Sequence, residues 1–204
     1  SNLDTDGIVE ILHGAPLDVL LEESTWTTFL SPFGLSEANF GDDIAVIDIN
    51  NDGYDDIVVG APYADESDLQ NLDDGSLYIL YGQSDLKINS YDEFAQSYED
   101  SDYGLSIQVF KTFGGIADSE FGDAVATGDF NGDGLGDFAV SMNEGGLQDS
   151  NGLVYIYLGQ GFGGPQLKII VNGIAENAYL GYGTGSLNNL GDINGDGFDD
   201  LGMK

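Results

Sequence analysis

The chain has 204 residues, of which 41% are hydrophobic, so it is long enough and apolar enough to bury a sizeable core. It carries 37 acidic residues against four lysines, and its formal net charge of -33 argues against nucleic acid and anionic lipid as partners. Cysteine is absent and no apolar run approaches the roughly 18 residues of a membrane span, so we expect neither disulfides nor direct membrane insertion.

A pattern led by Asp-Gly or Asn-Gly occurs three times and predicts a strand each time. The copies are DGIVEILHG (6–14), DGSLYILYG (74–82) and NGLVYIYLG (151–159), which align without gaps. Their alternation and their Val, Ile and Tyr content predict a pleated, largely buried strand that follows a turn. Looser apolar stretches at 25–30, 106–112 and 166–171 predict a further strand after each copy.

A nine-residue acid-rich segment also occurs three times, as DINNDGYDD (48–56), DFNGDGLGD (129–137) and DINGDGFDD (192–200). Phe40-Gly41 and Phe121-Gly122 stand eight residues before the first Asp of the first two copies, whereas the third offers YGTG (182–185) instead. Apolar runs follow directly at 56–62 and 137–142, and the third copy continues as DLGMK. We therefore expect the acid-rich segment to be a loop that joins the first two strands of a four-stranded unit.

This repeat predicts an all-β fold built of β-propeller blades, each a four-stranded antiparallel sheet. We interpret residues 1–204 as a single partial propeller domain. Its predicted parts are 1–30 as the end of one blade, 40–112 as a blade with an insertion at 83–104, 121–171 as a blade, and 182–204 as the start of another. Because closed propellers have about 4 to 8 blades, we expect either the remaining blades of a longer chain or a head-to-tail homodimer.

The acid-rich loops have the donor pattern of a calcium site. Side-chain oxygens stand at positions 1, 3, 5 and 9, and position 7 offers its backbone carbonyl. The predicted ligands are Asp48, Asn50, Asp52, Tyr54 and Asp56 in the first loop, Asp129, Asn131, Asp133, Leu135 and Asp137 in the second, and Asp192, Asn194, Asp196, Phe198 and Asp200 in the third. Hard oxygen donors without His or Cys suit Ca²⁺, so we expect three Ca²⁺ sites.

The residues that follow the loops and the repulsion between the loop carboxylates both bear on this prediction. Position 12 is Val59 or Val140 in a strand-like run, so the loops are not EF-hands, which need a Glu there and flanking helices. Carboxylates about 4 Å apart repel by roughly 4 kcal/mol per pair at an effective dielectric near 20, so we expect bound cations to stabilise the fold.

The Phe-Gly pair, the acid-rich loop and Gly60-Ala61-Pro62 together resemble FG-GAP repeats, the blades of the integrin α-subunit propeller. Such repeats also occur in bacterial surface proteins and in a phospholipase D that cleaves glycosylphosphatidylinositol anchors. Residues 40–82 match fully, whereas in the next unit SMN replaces GAP. The resemblance implies an extracellular or cell-surface location, structural calcium on one rim, and ligand recognition by loops such as 63–74 and 143–151 on the opposite rim.

The remaining residues give little support to catalysis. His13 is the only histidine, and no nucleophile-elbow sequence accompanies it. Glycosidases use a pair of carboxylates, but among so many acidic residues such a pair is bound to occur by chance and is no evidence of catalysis. Aromatic residues of the repeated strands could stack on sugars, but packing within the sheet is favoured. They are Trp26, Tyr78, Tyr81, Tyr155 and Tyr157.

We therefore predict a non-enzymatic, calcium-binding module for adhesion or ligand recognition, with a protein or glycan as its ligand. One alternative is the scaffold portion of a secreted carbohydrate- or lipid-acting hydrolase or lyase whose catalytic residues lie outside this sequence. A second alternative is a purely structural spacer within a long surface protein.

Overall fold

The structure is a computed structural model of the chain, and it describes residues 7–12, 26–30, 38–64, 73–82, 109–113, 118–143, 151–161, 164–175 and 177–204. These residues form twelve strands and no helix. The strands are β1 (Ile8–Leu12), β2 (Trp26–Leu30), β3 (Ile44–Ile47), β4 (Asp56–Ala61), β5 (Ser76–Leu80), β6 (Val109–Phe113), β7 (Val125–Gly128), β8 (Asp137–Met142), β9 (Leu153–Leu158), β10 (Gln166–Asn172), β11 (Leu187–Asn189) and β12 (Leu201–Met203).

The strands form antiparallel sheets in sequence order, which confirms the prediction of an all-β fold of propeller blades. Strands β3 to β6 form one four-stranded sheet and β7 to β10 another, here called blade II and blade III. Strands β1 and β2 form a two-stranded sheet, the N-terminal half-blade, and β11 and β12 form the C-terminal half-blade. The register repeats between blades, since Val58 pairs with Ile79 in blade II as Ala139 pairs with Ile156 in blade III.

Apolar side chains between successive sheets form the core. One cluster joins Val58 and Ile79 of blade II to Phe138 and Val140 of blade III. A second joins Val9 of the N-terminal half-blade to blade II, and a third joins blade III to the C-terminal half-blade. Because β8 is covered on both faces, all six of its residues are buried, which explains why apolar residues stand at consecutive positions from Phe138 to Val140.

The glycine that leads each third strand lies against the backbone of the next blade. A Cβ on Gly75 would lie 2.2 Å from the carbonyl oxygen of Phe121, and one on Gly7 would lie as close to that of Phe40. Gly152 makes the same contact with Leu180. The repeated Asp-Gly or Asn-Gly therefore permits close packing of blades, in addition to the turn that the sequence predicts.

This contact corrects the alignment of the third repeat. The N–H groups of Gly41 and Gly122 donate to the ends of β4 and β8, and Gly181 makes the equivalent bond to Lys204. Leu180-Gly181 therefore occupies the Phe-Gly position, not the predicted YGTG. Five residues separate Gly181 from β11, three more than separate Gly122 from β7. The start of β11 is also one residue further from Asp192 than the start of β7 is from Asp129. These four additional residues displaced the match that counting back from the acid-rich loop suggested.

The aromatic residues of the third strands pack inside the sheets. Tyr78 meets Phe40 edge to face with ring centroids 5.5 Å apart, and Tyr157 stacks on Phe138 at 4.8 Å. Tyr155 packs against Phe121. Packing, rather than sugar stacking, is therefore the role of these three tyrosines in the fold.

Several predicted features lie outside the described residues. They are His13, the insertion 83–104, and residues 65–72 and 144–150 of the two loops expected on the opposite rim. In the part of the chain that is described, there is no helix with the length and apolar character needed to span a membrane.

Candidate metal centre

Each acid-rich loop joins the first and second strands of a blade, as predicted. The loops connect β3 to β4, β7 to β8 and β11 to β12. They therefore lie at the same strand ends in three successive sheets, and these ends are here called the loop rim. Position 6 of each loop is a glycine in the left-handed region, with φ of 89° at Gly53, 83° at Gly134 and 94° at Gly197. This conformation explains why no other residue stands there.

A repeated hydrogen-bond network links the side chains at positions 1, 3 and 5 of each loop. The N–H groups of Asp52 and Gly53 donate to the carboxylate of Asp48 at 3.2 and 2.9 Å. The side-chain oxygen of Asn50 accepts from the Asp52 N–H at 2.9 Å, and its amide nitrogen donates to the Asp52 carboxylate at 3.0 Å. The loops that begin at Asp129 and Asp192 repeat every one of these bonds. Three loops of different sequence thus place their oxygens in the same way.

The position 9 carboxylate connects the loop to its own sheet. Asp56 is fully buried and accepts from the N–H of Ile49 at 2.9 Å and from that of Gly82 at 2.8 Å. Asp137 is buried in the same way and accepts from Phe130 and Gly159, both at 2.9 Å. Since Gly82 and Gly159 follow the third strand, this carboxylate fastens the loop to the end of that strand.

Burial and neighbouring carboxylates alter the acidity of these groups. Burial raises the pKa of Asp137 to about 6. The N–H bonds from Gly159 and Phe130 lower this pKa, and the charges of Asp133 and Asp129 raise it. Burial likewise raises the pKa of Asp56. In contrast, backbone hydrogen bonds, first from Gly197, lower the pKa of Asp192.

The donor chemistry of the loops fits calcium. Positions 1, 5 and 9 are carboxylates that repel one another, as their effect on the pKa of Asp56 and Asp137 shows. A divalent cation would offset that repulsion, and its ligands would be hard oxygens. Within the described ranges, however, no three His, Cys, Asp or Glu side chains have the spacing of an assembled metal site. The predicted ligand set and the number of ions therefore stay predictions.

Successive loops are bonded to one another along the loop rim. The N–H of Gly136, at position 8 of the second loop, donates to the carbonyl oxygen of Asp48 at 3.0 Å. The N–H of Asp199, at position 8 of the third loop, donates to that of Asp129 at 2.9 Å. The Asp199 carboxylate also accepts from the Asp129 N–H at 3.0 Å. Each loop is therefore positioned by the next one.

A second group of carboxylates, which the sequence pattern did not predict, lies at the opposite ends of the strands. Asp43 accepts from the Val125 N–H at 3.0 Å, and Asp42 accepts from the Thr184 hydroxyl at 2.9 Å. Asp123 accepts from the Gly183 N–H, and burial raises the pKa of this carboxyl. These contacts join the first strands of three sheets. The signal was the Asp that follows both Phe-Gly pairs, in FGDD and FGDA.

Comparison with known families identifies these sheets as FG-GAP propeller blades. The sequence model of the FG-GAP repeat matches residues 40–80 and 121–157, which lie in blades II and III. The chain therefore contains FG-GAP repeats, and the resemblance drawn from the Phe-Gly pairs and the acid-rich loops is confirmed.

Two kinds of protein are similar to this chain over most of its length. It is 34% identical to phosphatidylinositol-glycan-specific phospholipase D of Rattus norvegicus over 168 residues, which is 80% of this chain and 18% of that protein. It is 32% identical to integrin alpha-V of Gallus gallus over 173 residues, 80% of this chain and 14% of the integrin. Integrin alpha-6 of Gallus gallus is 40% identical over 124 residues, 60% of this chain and 9% of its own length. The chain thus spans less than a fifth of each of these relatives.

Proposed function

We propose that this chain is a calcium-stabilised FG-GAP recognition module, which acts in adhesion or ligand binding at or outside the cell surface and performs no chemistry itself. The observation that carries the proposal is the identical hydrogen-bond network in three acid-rich loops. Calcium would bind the oxygens at positions 1, 3, 5, 7 and 9 and fix the turn between the first two strands. The similarity to integrin alpha subunits supports the recognition role.

Calcium would act on the fold as a ligand of the native state. A cation whose free concentration is about 100 times its Kd adds about 2.7 kcal/mol to the free energy of unfolding. Three such ions would add about 8 kcal/mol, which is comparable with the stability of a whole domain. Thermal melting in calcium and in a chelator tests this role. We expect a large fall in melting temperature on chelation, and an unaltered melting curve would overturn the metal assignment.

Matched variants make that experiment specific to the proposed ligands. Asp52→Ala and Asp133→Ala each remove one carboxylate at position 5, so each should lose part of the calcium-dependent stabilisation. Asp55→Ala removes the same charge from an exposed position of the first loop that is not a proposed ligand. It should keep the full calcium effect. Equal losses in Asp55→Ala and Asp52→Ala would indicate a general effect of charge.

The similarity to phosphatidylinositol-glycan-specific phospholipase D favours a second candidate, a scaffold within a secreted hydrolase or lyase that acts on carbohydrate or lipid. Binding of the chain to glycan and protein arrays separates the two, because a scaffold whose catalytic residues lie outside this sequence predicts neither binding to the arrays nor turnover of glycosylphosphatidylinositol and polysaccharide substrates. The proposed module binds and does not turn over substrate. Turnover by the 204-residue chain would contradict it.

A further inference from the structure

Asparagine is followed by glycine at four places in the described part of the chain. The pairs are Asn131-Gly132, Asn151-Gly152, Asn172-Gly173 and Asn194-Gly195. In such a pair the backbone nitrogen of the glycine can attack the side-chain amide carbon of the asparagine, because glycine has no Cβ to crowd the approach. The reaction needs a glycine N–H that is exposed to water and not held in a hydrogen bond.

The glycine N–H is protected in three of these pairs. The N–H of Gly173 donates to the carbonyl oxygen of Gly152 at 3.0 Å, and that of Gly195 donates to the carboxylate of Asp192 at 2.6 Å. Gly152 is itself buried against the backbone of Leu180. Hydrogen bonding and burial keep these nitrogens from losing a proton and from turning toward the asparagine amide.

Gly132 differs from the other three, since it is exposed and its N–H has no acceptor among the described residues. The contrast holds within one loop, because the N–H of Gly134 donates to Asp129 at 2.9 Å. This loop is bonded to the first loop through Gly136 and to the third through Asp199. Gly132 is therefore exposed in a loop that has both of its neighbours in place.

The Asn131 amide is held in a position that favours attack by the Gly132 nitrogen. Its Oδ1 accepts the N–H of Asp133 at 2.8 Å, which closes a small ring that contains both the Asn131 Cγ and the Gly132 nitrogen. The same N–H would stabilise the negative charge that develops on Oδ1 during attack on Cγ. Nδ2, the leaving nitrogen, donates to the Asp133 carboxylate at 2.9 Å. Asp133 therefore orients the amide and activates its carbon.

We propose that Asn131 is a site of spontaneous chemical modification in the folded chain. The Gly132 nitrogen gives up its proton and bonds to Cγ, the Cγ–Nδ2 bond breaks, and Nδ2 leaves with that proton as ammonia. The product is a cyclic succinimide. Water then opens the ring at either carbonyl carbon, which leaves an aspartate or an isoaspartate whose backbone runs through Cγ. Overall, water is consumed and ammonia is released.

The first acid-rich loop lacks this reactivity for a local reason. Asn50 makes the same hydrogen bonds to Asp52, but position 4 of that loop is Asn51 instead of glycine. The Cβ of Asn51 crowds the attacking nitrogen. Among the three loops, only the second combines a glycine at position 4 with an unbonded N–H in the described structure.

Conversion changes the second loop at one of its predicted calcium ligands. The neutral amide at position 3 becomes a carboxylate, and the donor to the Asp133 carboxylate is lost. Like charges at hydrogen-bond distance repel, and isoaspartate also lengthens the backbone between positions 3 and 4. The modification should therefore loosen the second loop.

The first test follows the reaction in the unmodified 204-residue chain at mildly alkaline pH. Peptide mapping by mass spectrometry measures aspartate and isoaspartate at the four Asn-Gly pairs over time. The same chain in concentrated urea is the reference, because there all four pairs are open to attack. We expect the ratio of folded to unfolded rates to be severalfold higher at Asn131 than at Asn151, Asn172 or Asn194. Equal ratios at the four pairs would overturn the proposal.

This test is independent of the proposed function. It is made with calcium and in a chelator, and circular dichroism shows in which of the two the sheets are folded. The expected order of sites is the same with and without calcium, because the N–H of Gly132 is unbonded in either case. A chain that binds no calcium but reacts first at Asn131 would therefore support this inference alone.

The second test asks whether the Gly132 nitrogen is the attacking group. Gly132→Asn gives the second loop the position 4 residue of the first, where Asn51 adopts the left-handed conformation with φ of 59°. Conversion of Asn131 should fall severalfold in this variant, and isoaspartate should fall with it. The matched control is Gly134→Asn in the same loop, which should leave the conversion of Asn131 unchanged. Undiminished conversion in Gly132→Asn would show direct hydrolysis by water and contradict the proposal.

Discussion

The backbone N–H of Gly136 donates to the carbonyl oxygen of Asp48 at 3.0 Å, which bonds the second acid-rich loop to the first. The contact leaves no room at this position, since a Cβ on Gly136 would lie 2.6 Å from that oxygen and 2.8 Å from the side chain of Ile47. The glycine at position 8 of this loop is therefore explained by packing between neighbouring blades.

The first prediction concerns that glycine. Gly136→Ala should destabilise the fold by about 2 to 3 kcal/mol, because the neighbouring loop must move away from the added methyl group. Gly134→Ala is the control in the same loop. It meets no atom within 4 Å and changes only a left-handed backbone, at a cost of about 1 kcal/mol. Urea unfolding measures both, and a smaller loss for Gly136→Ala than for Gly134→Ala would contradict the packing argument.

The second prediction concerns Phe121, which is buried between blades and packs edge to face on Tyr155. Because Leu180 occupies the same position in the third repeat, Phe121→Leu should cost less than about 2 kcal/mol. Phe121→Ala leaves a cavity and should cost about 3 to 5 kcal/mol. Denaturation midpoints of the two variants measure the difference. Equal losses would show that Leu is no substitute for Phe at this position.

The third prediction is a pH dependence in the calcium-free chain. The folded pKa of Asp137 is about 6, above its ordinary value of 3.8, so the folded state binds more protons between about pH 4 and pH 6. Stability should therefore increase by about 2 to 3 kcal/mol from this group as the pH falls through that window, and the gain should be absent at pH 7.

Asp137→Asn isolates this contribution, because many other carboxylates titrate in the same range. The variant should show a smaller gain on acidification than the unaltered chain, measured by urea unfolding at each pH. Identical pH profiles would mean that the Asp137 carboxyl is not perturbed by its burial.

The fourth prediction follows from the net charge of -33. The screening length falls from about 10 Å at 0.1 M salt to about 3 Å at 1 M, which weakens repulsion between surface carboxylates. At a fixed calcium concentration, the melting temperature should therefore rise with NaCl. A melting temperature independent of NaCl would argue against self-repulsion as a term in the stability of this chain.

The sequence predicted the strands and loops well because both have strong local causes. Strands β4 and β8 begin at Asp56 and Asp137, which are the last residues of the acid-rich loops. Apolar residues follow directly in both strands, so the sequence marks where each strand begins. The left-handed glycines at position 6 made the loops recognisable as turns. Such features depend on residues that are close together in the chain.

Features that depend on contacts between blades could not be predicted in the same way. The role of Leu180 depends on the backbone of Gly152, and the Gly136 contact depends on the preceding loop. The bonds that Asp42, Asp43 and Asp123 accept from other sheets also depend on stacking. The sequence shows which residue types stand at these positions, but not which distant backbone groups they contact.

Calcium titration of the metal-free chain by isothermal calorimetry measures how many ions the acid-rich loops bind. We expect three ions bound per chain, and two after Asp52→Ala. No binding of calcium, or an unchanged number of ions in that variant, would contradict the proposed calcium sites.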